Sequence, residues 1–187
     1  MSAPLGAFGK TSVFTQEDFN SNDGFLTSTW GPSQWHMLHT ISFNYPVNPA
    51  PKDKERYRSY ILSLKNVLPC GKCRANLKEN FKKLPLRMAD MESRETFSRY
   101  IFNLHELVNT MLGKSSGLTY EEVRDTYENF RSRCTATKGA KKPKTVKKES
   151  GCTKPLYGKK AKCLLRIVPM ESKEPTFSVD DQCIKTQ

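Results

Sequence analysis

RETFSRYIFNLHELVNTMLGK, Arg94 to Lys114, is the stretch on which the fold turns. Phe97, Ile101, Leu104, His105, Val108 and Leu112 recur at three- and four-residue intervals, so a helix over about Arg94 to Leu112 presents one largely apolar face. Gly113 is the natural stop, because a glycine just past the last turn accepts the left-handed backbone there. The next start signal follows at once. Thr119 and Glu122 make a capping box, with Leu118 and Val123 as its hydrophobic staple, which opens a helix reaching about Arg131.

The same period extends towards the N-terminus. In WGPSQWHMLHTISF, Pro32 is expected in the first helical turn, and Trp35, Leu38, His39, Ser42 and Phe43 share a face before Tyr45-Pro46 ends the run. A second helix, about Asp53 to Leu68, aligns Tyr57, Tyr60, Ile61, Leu64 and Leu68 up to Pro69. A third opens at the cysteine pair and runs to about Leu84, with Cys70, Cys73, Leu77 and Phe81 along one side. No segment between Trp30 and Arg133 alternates convincingly with a period of two. Short connections between helices force antiparallel neighbours, so the expected fold class is all-α: a four-helix bundle with a short fifth helix.

The pair within VLPCGKCRANLKENF, Val67 to Phe81, has three possible fates: a redox dithiol, half of a metal site, or two buried thiols. At i and i+3 on the first turn of a helix both sulfurs lie on one side, close enough to bridge. The helix N-terminus, Lys72 and Arg74 favour a thiolate. A metal site needs two further ligands, and His36, His39 and His105 show no matched spacing beside another cysteine, so no metal ligands are assigned. A thioredoxin-type site would follow a strand, whereas this pair follows a helix.

The formal charge of +12 is unevenly spread. Residues 1–130 hold 16 Lys+Arg against 14 Asp+Glu, a net +2, and residues 131–187 hold 15 against 5, a net +10. That divides the chain into an arm (1–29), a helical domain (30–133) and a basic extension (134–187). The basic run around Lys138 to Lys148 reads first as a solvated linker and second as a weak polyanion contact; no stacking aromatics are interleaved in it. CLLRIV and TFSVD could form a small β appendage. Two disulfides among Cys134, Cys152, Cys163 and Cys183 are the favoured way to staple it, against free thiols or an electron shuttle. MSAPLGAFGKTSVF lacks the basic n-region and apolar run of a secretion signal, and no later stretch is long enough to span a bilayer. A soluble protein is expected.

WGPSQWHMLHTISFNYP, PCGKC and FSRYIFNLHELVNTMLGK occur in that order. Together they closely resemble the FAD-linked sulfhydryl oxidases of the Erv/ALR family, whose patterns are W-x-x-L-H with a following Y-P, C-x-x-C, and H-N-x-V-N-x-x-x-G-K. The resemblance covers about Trp30 to Arg133. The WGPSQW form is most similar to members encoded by large DNA viruses; cellular ones tend to carry Arg where this chain has Pro32.

The resemblance implies a helical bundle holding FAD, usually as a homodimer. It also implies an enzyme that oxidises client protein thiols to disulfides and passes the electrons to O₂, giving hydrogen peroxide. Cys70 and Cys73 would be the catalytic pair, Cys70 meeting substrate and Cys73 nearer the flavin. Trp35, His39 and Tyr45 would contact the cofactor, Tyr45 against the isoalloxazine. His105, Val108 and Asn109 would line the adenine and ribose side, with Lys114 near them. Tyr127 would stand in for a family tryptophan that packs over the cofactor. A viral member would work in the host cytoplasm or the virion.

Two positions depart from the family pattern. Glu106 replaces an asparagine, which costs an expected amide contact. Where members commonly tie the fourth helix to the fifth by a disulfide, this chain has Phe102 and about Tyr120, an aromatic contact suited to a reducing compartment. These departures leave room for a second reading, a catalytically degenerate virion or assembly protein whose basic tail binds nucleic acid or an acidic partner.

Overall fold

The computed structural model describes residues 15–132, 152–164, 166–169, 171–173 and 178–185. The fold is all-α, with helices α1 (Gln16–Phe19), α2 (Thr27–Phe43), α3 (Pro51–Val67), α4 (Gly71–Lys83), α5 (Arg94–Met111) and α6 (Tyr120–Glu128), and a 3₁₀ turn at Met88–Met91 before α5. Helix α2 packs on α5 and α6, α3 on α4, and α4 on α5. The apolar faces read from the sequence meet in one core. Leu38, Ile61, Leu64, Leu77, Phe81, Phe97, Ile101 and Leu104 are buried in it, joined by Tyr100 of α5 and by Tyr45, Leu86 and Met91 from the segments between these helices.

Helix ends follow their local chemistry. Pro51 begins α3 where its missing N–H costs nothing, and the Asp53 carboxylate accepts from the Ala50 N–H at 3.1 Å. Gly113, at φ +67°, closes α5. The α6 capping box forms as expected: the Glu122 N–H donates to Thr119 Oγ1 at 3.2 Å and the Thr119 N–H to Glu122 Oε2 at 2.7 Å. The staple is weaker, since Leu118 stays half exposed.

Helix α2 starts three residues earlier than the tryptophan, so Pro32 lies inside it rather than in its first turn. The added turn is held by side chains: Thr29 Oγ1 donates to the Leu26 carbonyl at 2.7 Å and Trp30 Nε1 to the Phe25 carbonyl at 3.2 Å. Ahead of it the arm docks on the cysteine loop, where the Phe25 N–H donates to the Pro69 carbonyl at 2.9 Å. The approach is close. A Cβ on Gly24 would lie 2.7 Å from the Pro69 oxygen and 3.1 Å from Cys70 Cα. Gly24→Ala is therefore expected to lift the arm and speed hydrogen exchange of the Phe25 amide at least tenfold, about the loss of one hydrogen bond; unchanged exchange would show that the contact bears no strain.

At the positions where the resemblance implies a disulfide between the fourth and fifth helices, Phe102 and Tyr120 meet edge to face, ring centroids 6.0 Å apart. Tyr120 is buried, shares a 2.8 Å hydrogen bond with Ser98 Oγ, and lies under the Arg99 guanidinium at 3.9 Å.

In the extension the described part of CLLRIV is irregular, and no strand occurs among the described residues. The β appendage is thus corrected to an irregular segment held by isolated contacts. Ser132 bridges Pro155, the Leu156 N–H donates to the Arg131 carbonyl at 2.8 Å, and the Lys185 N–H to Asn129 Oδ1 at 3.0 Å. Cys152 is disulfide-bonded, but Cys163 and Cys183 are free thiols, so the expectation of two disulfides in this segment is not met. Cys134, the run from Lys138 to Lys148, and Thr176 and Phe177 of TFSVD lie outside the described residues. Among those described, no helix is long and apolar enough to cross a membrane, and no cluster of His, Cys, Asp and Glu is arranged to hold a metal ion.

Candidate active site

Cys70 and Cys73 form a disulfide, Cα atoms 5.2 Å apart, at the first turn of α4. Cys70 is also the N-cap: its Sγ accepts from the Cys73 N–H at 3.2 Å. Both residues are half-buried. Thr27, exposed at the start of α2, reaches the bridge, its Oγ1 3.7 Å from Cys73 Sγ.

Helix α2 joins this pair to the predicted cofactor residues. Trp35 and His39 follow Thr27 by eight and twelve residues, about 12 and 18 Å along the axis. The Trp35 ring stacks on His105 of α5, centroids 4.0 Å apart and planes 8° from parallel. His39 Nε2 shares a 3.0 Å hydrogen bond with His105 Nδ1. Tyr127 of α6 lies against His39 and Phe43, each at 5.3 Å, and its hydroxyl shares a 3.2 Å hydrogen bond with His36 Nδ1. Three helices thus contribute to one aromatic wall.

Its electrostatics favour neutral rings. Burial, with His105 and His36 beside it, pushes the His39 imidazole down to about 3. Burial also lowers His105, opposed by the Glu106 carboxylate, and raises the Tyr127 phenol to about 12. The sign for stability follows. An unfolded histidine takes up a proton near pH 6.5 that folded His39 refuses until about pH 3, so stability falls as pH drops through that interval, by ~1.4 kcal/mol per unit for one such group. Urea titrations from pH 7 to 4 should show this slope flattened in His39→Phe; an unchanged slope would place the acid sensitivity elsewhere.

Nδ1 of His39 is buried and has no hydrogen-bond partner in the protein. If Nε2 donates to His105, Nδ1 is an unmet acceptor; if Nε2 accepts, Nδ1–H is an unmet donor. Either way a polar atom behind a flat aromatic wall is left for a partner, a donor set that fits a ring system carrying its own amide-like groups.

The remaining candidates divide. Asn109 Nδ2 donates to Glu106 Oε1 at 2.8 Å and its carbonyl accepts from the Lys114 N–H at 2.8 Å, so Asn109 fixes the α5 exit from which Lys114 projects, exposed. Val108 is half-buried on the same helix. Tyr45 is fully buried among Tyr57 and Phe97, centroids 4.8 and 4.9 Å away, and donates to the Met91 carbonyl at 2.9 Å. Those contacts tie it to the core and not to the Trp35–His105 wall. Surface cavities of about 330 and 390 Å³ lie elsewhere, one against Tyr57 and Tyr60, the other against Arg94 and Tyr120.

Three residues take places at the site that sequence reasoning did not assign them. Glu106 is held by its neighbours. Burial would raise its carboxyl, but hydrogen bonds from Ser116 and Asn109, with His105 nearby, hold it below the usual range; its spacing of three from Asn109 was the available signal. His36 shares the α2 face of His39, again at a spacing of three. For Thr27 the sequence held no signal, because its value comes from a contact 46 residues away.

The family model described as Erv1/Alr matches residues 32–130. A probable FAD-linked sulfhydryl oxidase of Acanthamoeba polyphaga mimivirus is 38% identical over 99 residues, covering 53% of this chain and 68% of that protein. The FAD-linked sulfhydryl oxidase of African swine fever virus is 30% identical over 99 residues, covering 53% and 80%. The crystal structure of the yeast Erv1 core shares the fold, with a TM-score of 0.51 at 21% identity over 67% of this chain and 96% of that one. The matched segment begins within α2 and ends just past α6, taking in the disulfide and the whole aromatic wall, and on that correspondence the chain belongs to the Erv1/Alr family.

Proposed function

We propose that this protein is an FAD-dependent thiol oxidase that makes disulfides in client proteins. The observation carrying this reading is the half-buried Cys70–Cys73 disulfide at the head of α4, in contact with the helix that also carries Trp35 and His39. It is supported by family membership and by the names of the viral relatives. The Erv1/Alr domain proper would be residues 30–133, working as a homodimer, with the arm and the basic extension outside it. The mimivirus and African swine fever virus relatives favour the host cell or virion of a large DNA virus as its setting.

A substrate thiolate attacks Cys70 Sγ, forming a mixed disulfide, and the Cys70–Cys73 bond breaks with its electron pair left on Cys73 Sγ. The unpaired amides of the α4 N-terminus, with Lys72 and Arg74, stabilise that thiolate. A second substrate thiolate then attacks the substrate sulfur of the mixed disulfide, releasing the product disulfide and Cys70. When bound, FAD would supply the two-electron acceptor for reoxidation of the pair, with O₂ as the final acceptor giving hydrogen peroxide. Trp35, His105 and Tyr127 would offer it aromatic faces, His39 Nδ1 a buried polar contact, and Val108, Asn109 and Lys114 the far side. The neutral state of His39 keeps an uncompensated charge out of that wall.

Purified protein is expected to be yellow and to release about one FAD per chain on denaturation. Colourless protein that takes up no FAD on refolding would instead favour the structural reading.

A further inference from the structure

The Cys73 sulfur meets a side chain 46 residues ahead of it in the chain. Thr27 Oγ1 lies 3.7 Å from it, within reach of a hydrogen bond to sulfur. A disulfide sulfur carries no hydrogen, so the hydroxyl is the donor. The contact is held from two sides. Thr27 is the first residue of α2, and the segment just before it is pinned to the residue preceding Cys70 by the Phe25 N–H to Pro69 carbonyl bond and by the close approach of Gly24.

We propose that Thr27 is a further catalytic residue, its hydroxyl donating a hydrogen bond to Cys73 Sγ that strengthens when the disulfide opens. The inference rests on the reading of Cys73 as the sulfur freed in exchange. As the substrate sulfur bonds to Cys70 and the Cys70–Cys73 bond breaks, the electron pair stays on Cys73, and no proton moves to it. A hydrogen bond to a full negative charge is about twice as strong as one to a neutral acceptor. Thr27 therefore favours the opened state over the closed one, and it favours attack at Cys70 over attack at Cys73, because only the former puts the charge where the hydroxyl is. The charged neighbours of Cys73 in the chain are Lys72 and Arg74 on α4, the latter donating to the Leu68 carbonyl; the preceding helix α3 carries Lys65 in its last turn. Residues 24–30 contribute none, with Asp23 just ahead of them. All of these are unchanged by substitution at Thr27.

The test uses the full chain with Cys70→Ser, which leaves Cys73 a single thiol and keeps an N-cap oxygen on α4. Iodoacetamide labelling of the Cys73 peptide is followed by mass spectrometry as a function of pH. Adding Thr27→Val, or Thr27→Ala should valine disturb the turn, is expected to raise the pH midpoint by about one unit, a roughly tenfold smaller thiolate fraction below it. Thr27→Ser is expected to restore the parent midpoint. An unchanged midpoint in Thr27→Val, or a Thr27→Ser variant that shifts with it, would overturn the proposal. The readout needs neither flavin nor turnover, so it separates this inference from the oxidase reading, which fails instead if the parent protein binds no FAD.

Discussion

Replacing Cys73 by serine is expected to abolish dithiothreitol-driven oxygen uptake, and replacing Cys70 to do the same, while both variants keep their fold and their flavin. Each substitution removes one sulfur of the bridge proposed to carry the electrons, so the expected loss is to background rather than by a factor. Serine is the right probe. Its oxygen can take the N-cap role in which Cys70 Sγ now accepts the Cys73 N–H, whereas alanine there would also cost about 1 kcal/mol of helix stability. An oxygen electrode reads the result, and uptake above a tenth of the wild-type rate in Cys73→Ser would sink the assignment of that sulfur.

The second large effect is on stability. Tyr120→Ala should lower the free energy of unfolding by about 3–5 kcal/mol, the range for deleting a buried aromatic ring. Tyr120 is 5% exposed, packs against Phe43 and Phe102, and shares its hydroxyl with Ser98. Tyr120→Phe keeps the rings and loses only the Ser98 bond, so about 1 kcal/mol is expected. Urea denaturation measures both. A loss under 1 kcal/mol for the alanine variant would mean that α5 and α6 are joined elsewhere, and that the aromatic pair does not replace the family's bridge.

What the sequence made legible was set by period and by caps. Apolar residues at three- and four-residue spacing located α2 to α5, because burial against neighbouring helices demands that spacing, and Thr119 with Glu122 located the start of α6 to the residue. The errors came where tertiary contacts decide. Pro32 looked like a helix start, but Thr29 and Trp30 add a turn ahead of it. CLLRIV looked like a strand by composition, yet no strand occurs among the described residues. At the site Trp35, His39, His105 and Tyr127, named from the ordered motifs, meet in one aromatic wall, since helical faces are local properties. Tyr45, though part of the Y-P motif, faces Tyr57 and Phe97, a direction fixed by the turn after α2 and not by spacing. Thr27 was invisible for the same reason, as its partner lies on another helix.

The central claim is that electrons reach the flavin through Cys73. Anaerobic mixing of the flavin-loaded protein with dithiothreitol tests it most directly, with the flavin absorbance as the readout. The account predicts rapid bleaching in wild type and none in Cys73→Ser; bleaching of Cys73→Ser at the wild-type rate, or an unbleached wild-type flavin, would contradict it.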